Sequence, residues 1–333
     1  MSVQPETLPP DPFDPRRDSF DIVRPRTAPG DIHEFRAPRR RTRPWVHALL
    51  LFLTVATTTA WGMLHWASFM TDFGAVPISF DLPQWLANGF WYSGTVLAIL
   101  GCHELGHYFA CRYYGIDVSL PYFLPAPVMT GTLGAFIRIR EPIRSKRVLF
   151  DIGVAGPIAG FLVALPALWL GVSLSRVVKL PAVIEGYSLG EPLLFQAVNW
   201  VIWGATPDGY SLNLHPMAFA AWFGLLATAL NLFPIGQLDG GHISYAVLGS
   251  RWSTRLTVAS VAAAIALTFV SWSWIVWSAL LVVMLLMFGP RHPRTEDEHT
   301  PLGRGRLAVA VFAVAMLVVC FTPAPMEVLE LLP

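Results

Sequence analysis

Apolar residues in this chain come in long blocks, and the polar residues between the blocks carry most of the charge. About 20 apolar residues in helical form cross the roughly 30 Å hydrocarbon core of a bilayer. Read in order, the blocks predict seven spans, near 45–66, 90–114, 148–170, from 216 onward, 256–270, 272–288 and 307–321. Trp45 and Trp66 bracket the first span as interfacial anchors. The fourth is short and broken, because Asn231, Pro234, Gly236, Asp239, Gly240 and Gly241 interrupt it. Irregular backbone at membrane depth is tolerated only where it is buried in protein or lines a cavity. In the third span Gly153, Gly156 and Gly160 leave room for a neighbouring helix, and Pro157 invites a kink.

The polar stretches orient these spans. Residues 1–44 are rich in proline, arginine and aspartate without periodicity, which reads as a disordered cytoplasmic tail. The tail has no apolar core of a signal peptide, so it is expected to be retained. Arg39, Arg40, Arg41 and Arg43 hold the N-terminal side in the cytoplasm, and the loop carrying Asp72 and Asp81 faces outward. Arg138, Arg140, Arg144, Lys146 and Arg147 return the chain to the inner face, as do Arg291, Arg294, Arg304 and Arg306 later, so the C-terminal end is expected outside. Between 115 and 147, Pro121, Pro125 and Pro127 exclude a helix, and Ile137-Arg138-Ile139-Arg140 alternates with period two. A β-hairpin lying at the membrane surface is the expected structure there. Residues 171–215 are mixed and placed outside, with Trp200 and Trp203 at the interface.

The fold class that follows is a polytopic α-helical membrane protein, with residues 45–333 as one integral membrane domain. Composition agrees, at 54% hydrophobic and 14% charged residues with a mean hydropathy of +0.52. A net charge of +1 leaves no basic excess for a nucleic-acid partner. Cys102, Cys111 and Cys320 all sit in apolar runs and form no disulfide framework.

Chemistry concentrates at His103-Glu104-Leu105-Gly106-His107, inside the second span. On a helix the two histidines share a face, which lets both reach one tetrahedral zinc while Glu104 stays beside the open position. Two histidines and a glutamate at membrane depth cost several kcal/mol unless they are ligated, paired or hydrated. Counted from Trp91 at about 1.5 Å per residue, the histidines lie roughly 6–12 Å from the cytoplasmic boundary. Hydrolytic zinc needs a third protein ligand, and the glycines and proline around Asp239 free that carboxylate to turn inward at similar depth. Cys102 points about 100° away from His103 and reads as packing. His47 and His65 read as interfacial, and His215 as a cap before Pro216. For His242, support of the metal site and simple polar packing stay equally open.

His103 to His107, followed far downstream by Asn231-Leu232-Phe233-Pro234 and Leu238-Asp239-Gly240-Gly241, resembles the site-2 protease family of intramembrane zinc metalloproteases. The resemblance covers a catalytic core of about 90–248, and Ala155-Gly156-Pro157 with the hairpin before it looks like the family's third core helix. It implies that His103, His107 and Asp239 bind Zn2+, that Glu104 is the catalytic acid/base, and that Asn231 holds substrate or oxyanion. It also implies cleavage of transmembrane protein substrates near the cytoplasmic face, surrounded by membrane lipid, in the bacterial inner membrane, with room for an upstream site-1-type protease. A PDZ or CBS domain, common in relatives, is not expected from these residues. A metal-ion transporter is the rival reading, but one ligand layer and no repeat argue against it. An inactive scaffold would be expected to lose Glu104 or a ligand, and neither is lost. The strand at 133–140 offers an edge on which an unwound substrate could pair by β-addition.

Overall fold

A computed structural model describes residues 43–72, 76–79, 81–180 and 185–330. The expected N-terminal tail lies outside the described residues except for Arg43 and Pro44. Among the described residues there are eight helices: α1 (Pro44–Met70), α2 (Leu82–Tyr113), α3 (Lys146–Leu174), α4 (Leu193–Trp203), α5 (Pro216–Leu232), α6 (Asp239–Leu267), α7 (Trp274–Phe288) and α8 (Arg304–Cys320). Prolines open three of them, at Pro44, Pro83 and Pro216, where the fixed φ suits the first turn and the missing N–H costs nothing. This start signal makes α2 longer than the apolar run beginning at 90 suggests. Gly249 takes φ 77° and ψ 172° within α6, a conformation open mainly to glycine, and the helix folds back there.

The core lies where α2, α3 and α5 meet. Val96, Ile99, Phe150, Ala164, Leu168, Ala221, Trp222 and Leu225 are all buried there. Small residues allow the approach: a Cβ on Gly171 would lie 2.4 Å from the Ala218 nitrogen, and one on Gly62 would lie 2.2 Å from the Gly89 carbonyl oxygen. Apolar side chains also cover the outside, among them Phe52, Phe269, Leu286 and Val311. Exposed apolar area on this scale marks a surface made to meet lipid or another protein. Among the described residues, α1 and α3 are each long and apolar enough to cross a membrane.

After α2, β1 (Tyr122–Pro125) pairs antiparallel with β2 (Thr132–Phe136), Tyr122 opposite Phe136. This hairpin is bonded to the side of α1 at more than one level of the helix. It stands alongside α1, with His47 Nδ1 3.1 Å from the Pro121 oxygen, Thr57 Oγ1 donating to Gly131 at 2.7 Å and His65 Nε2 3.3 Å from the Met129 oxygen. Tyr92 of α2 donates to Thr130 at 2.7 Å. From His47 to His65 the helix rises about 27 Å, so the hairpin runs along most of α1. Its carbonyls can sit there because polar groups at three heights of the bundle receive them. His47 and His65, expected at the interface, are two of these groups.

The strand also ends earlier than the alternation at 137–140 suggests. Ser119 Oγ accepts the Arg138 N–H at 2.9 Å, and only a single bridge from Val118 to Ile139 continues the pairing. Two further strand pairs were not legible: β3 (Arg176–Lys179) with β5 (Tyr210–Asn213), and β4 (Glu185–Leu189) with β6 (Met326–Glu330). His215 caps α5, its Nδ1 accepting the Met217 N–H at 3.2 Å.

Candidate metal centre

His103 and His107, four residues apart, share a face of α2 that turns toward α3 and the start of α6. His103 Nε2 lies 3.1 Å from Asp239 Oδ2, His107 Nε2 lies 3.3 Å from the same oxygen, and the two Nε2 atoms are 3.1 Å apart. Ligand atoms on a tetrahedral ion with bonds of about 2.0–2.1 Å stand about 3.3 Å from one another. The triangle therefore fits zinc without rearrangement. His103 and His107 are 5% and 7% exposed, so the donors are held in a low-dielectric interior where an unshared carboxylate would be costly. Among the described residues this is the one group of three or more such side chains that could hold a metal.

Neighbouring glycines shape the group. A Cβ on Gly156 would lie 2.0 Å from His107 Nε2, and one on Gly160 would lie 3.1 Å from the His103 Cβ. Thus the small-residue face of α3 receives the histidine rings themselves as well as the α2 backbone. His107 Nδ1 donates to the Ile152 carbonyl at 2.7 Å, which leaves Nε2 as the free lone pair. Asp239 is delivered by the break between α5 and α6. Side chains on Gly240 or Gly241 would meet the Leu232 oxygen at 2.0 Å or the Gly236 oxygen at 2.2 Å, so only glycines let α6 begin this close to the end of α5.

Glu104 is buried beside the triangle at 7% exposure, with the Ile137 backbone N–H near its carboxylate. Asn231, in the last turn of α5, is half-buried and stands outside the ligand group; its side chain makes no hydrogen bond among the described residues. Cys102 is also outside the group. His292, which the sequence reading did not single out, comes within 2.7 Å of His242, so a loop residue distant in sequence borders the site.

Residues 92–273 match the family described as Peptidase family M50. The chain belongs to that family. M50 is the site-2 protease family, and its metal is zinc. Probable zinc metalloprotease EGY2, chloroplastic, of Oryza sativa subsp. indica is 32% identical over 254 residues, covering 75% of this chain and 46% of the relative. The protein of the same name from Arabidopsis thaliana is 30% identical over 227 residues, 67% of this chain and 40% of the relative. Probable zinc metalloprotease EGY1, chloroplastic, of Arabidopsis thaliana is 28% identical over 250 residues, 71% of this chain and 43% of the relative. The chain spans just under half the length of these curated relatives. No solved structure matches it.

Proposed function

We propose that this M50 chain is an intramembrane zinc endopeptidase that cuts transmembrane segments of membrane-protein substrates close to the cytoplasmic face. The triangle of His103, His107 and Asp239 beside Glu104 carries the reading, because it fits a zinc ion and puts a proton carrier next to it. Zinc would supply Lewis acidity, polarising the scissile carbonyl and easing loss of a proton from water. Glu104 takes that proton and later returns it to the leaving amine. Asn231 is assigned the oxyanion, where an amide donor stabilises developing charge. Ile152 keeps His107 in the tautomer that offers Nε2.

Seven crossings, with the N-terminus in the cytoplasm of a bacterial-type inner membrane, belong to the same proposal. The helix order supports them: α1, α2, α3, then α5 with the first part of α6, the second part of α6, α7 and α8. The loop at 289–303 joins ends that this topology puts on one face, through Lys146 Nζ to the Glu298 oxygen and the Ser250 N–H to Glu298 Oε1. On the other face, Trp203 reaches the Val172 oxygen and Asn213 reaches the Phe69 oxygen, tying the ends of α4, α3 and α1. Membrane lipid surrounds the domain, and substrates trimmed first by a site-1-type protease remain part of the reading. Zinc-dependent cleavage of a single-span peptide by the purified chain tests it.

The β-addition idea gains a geometric basis from the hairpin. Its β2 strand follows the active-site helix, its outer edge pairs with no strand among the described residues, and Leu133 is 70% exposed. An unwound segment bound there would lie next to Ile137, whose backbone N–H is near the Glu104 carboxylate.

A further inference from the structure

The loop at 289–303 is fastened across the bundle end. Asp297 accepts the Lys146 N–H at 2.6 Å, Pro301 accepts Arg147 at 2.9 Å, and the Tyr245 hydroxyl accepts the Thr295 N–H at 2.9 Å. At its head His292 is 8% exposed and stacks on Tyr245, with ring centroids 4.5 Å apart. His292 Nδ1 lies 2.7 Å from the Pro293 carbonyl oxygen. That oxygen can only accept, so Nδ1 carries the hydrogen. Burial pushes the His292 pKa below its ordinary value, although the bond to Pro293 opposes this, and the ring is neutral with a bare Nε2.

The next ring follows from the first. His292 Nε2 is 2.7 Å from His242 Nδ1, which must therefore donate. In a neutral imidazole the other nitrogen then accepts, so His242 Nε2 presents a lone pair. His242 lies three residues after Asp239 on the same face of α6, and its Cβ rests against Gly153, whose own Cβ would come within 3.0 Å. Its Nε2 has no hydrogen-bond partner among the described residues and is not one of the sealed polar atoms left without one. An acceptor beside the metal centre is thus available to something that enters.

A transmembrane helix hides its N–H groups in internal hydrogen bonds, and unwinding it for cleavage frees donors that need acceptors away from bulk water. On the endopeptidase reading above, we propose that His242 Nε2 accepts a backbone N–H of the unwound substrate beside the scissile bond, with His292 as the positioning residue that fixes this tautomer. Side-chain-independent recognition of the substrate backbone follows from it.

The test uses the full chain, loaded with zinc, and a single-span peptide with helix-breaking residues, N-methylated at one backbone position at a time around the cleavage point. Methylation at the partnered position should lower kcat/KM of the native protein about tenfold. His242→Phe should be about tenfold slower on the unmethylated peptide and indifferent to that methylation, with zinc content unchanged. His242→Leu serves the same purpose if the phenylalanine variant does not fold. Independently of cleavage, ring 15N NMR should show His242 as the Nδ1–H tautomer. His292→Leu should lose that signature and His292→Gln, whose side-chain oxygen can accept, should keep it. A His242 variant that stays sensitive to methylation at every position that slows the native protein, or a tautomer untouched in His292→Leu, overturns the proposal. Native protein that cuts no peptide overturns the endopeptidase reading and the substrate role with it, while the NMR arm still decides the role of His292.

Discussion

Gly156→Ala isolates the glycine face of α3 as a part of the metal centre. Alanine favours a helix interior by about 1 kcal/mol over glycine, so on propensity alone the substitution should stabilise α3. The site predicts the opposite outcome for the metal. The new Cβ would stand 2.0 Å from His107 Nε2, 2.4 Å from Cε1 and 2.5 Å from Cδ2, whereas ordinary contact begins at 3.4 Å. The ring must retreat by more than an ångström, which would break the 2.7 Å bond from its Nδ1 to the Ile152 carbonyl of α3. Metal sites tolerate ligand displacements of only about 0.2 Å. Zinc affinity should fall about 100-fold, the upper end of the effect of changes around a metal's ligands. Elemental analysis of protein equilibrated against chelators of graded strength measures this, with Gly94→Ala, whose Cβ would meet nothing within 4 Å, as the control. Equal zinc retention in the two variants would refute the packing argument.

Phe136→Pro removes a backbone donor from β2 while sparing the Ile137 N–H near Glu104; it should keep zinc and slow cleavage of helical substrates more than of substrates already unwound. Equal loss for both substrate types, or none, would end the strand-addition idea. A reporter inserted between 291 and 303 should read as cytoplasmic and one fused after Pro333 as external, and the reverse readings would show a miscounted crossing. Burial raises the cost of ionising Asp297, but the Lys146 N–H and the Ser145 hydroxyl outweigh it and hold its pKa below the ordinary value. Its contribution is therefore complete above about pH 4 and fades as pH falls through the folded value. Asp297→Asn should lower the melting temperature at pH 7 and make less difference below pH 4; an identical difference at both pH values would contradict this.

The meeting of His103, His107 and Asp239 was readable because helical spacing puts the histidines on one face, and because glycine and proline mark where the backbone can leave helix geometry. The height of the hairpin was not. It depends on carbonyls received by His47, Thr57 and His65 across more than sixty residues of sequence, and none of those side chains advertises such a bond locally. His292 was hidden for the same reason, its partner His242 lying 50 residues away, and its own surroundings are an arginine-bearing loop that reads only as topology. The alternation at 137–140 misled because a period of two reports side-chain direction, while the N–H of Arg138 goes to the Ser119 side chain instead of a neighbouring strand.

Cleavage of a single-span peptide by purified native chain and Glu104→Gln, each with its zinc content measured, bears most directly on the central claim. The native protein should hold about one zinc per chain and cut the peptide, lose activity to a chelator and regain it with zinc. Glu104→Gln should hold the same zinc and cut at least about 100-fold more slowly, since only the proton carrier is removed. Cleavage that persists without zinc, or at the native rate in Glu104→Gln, would contradict the account.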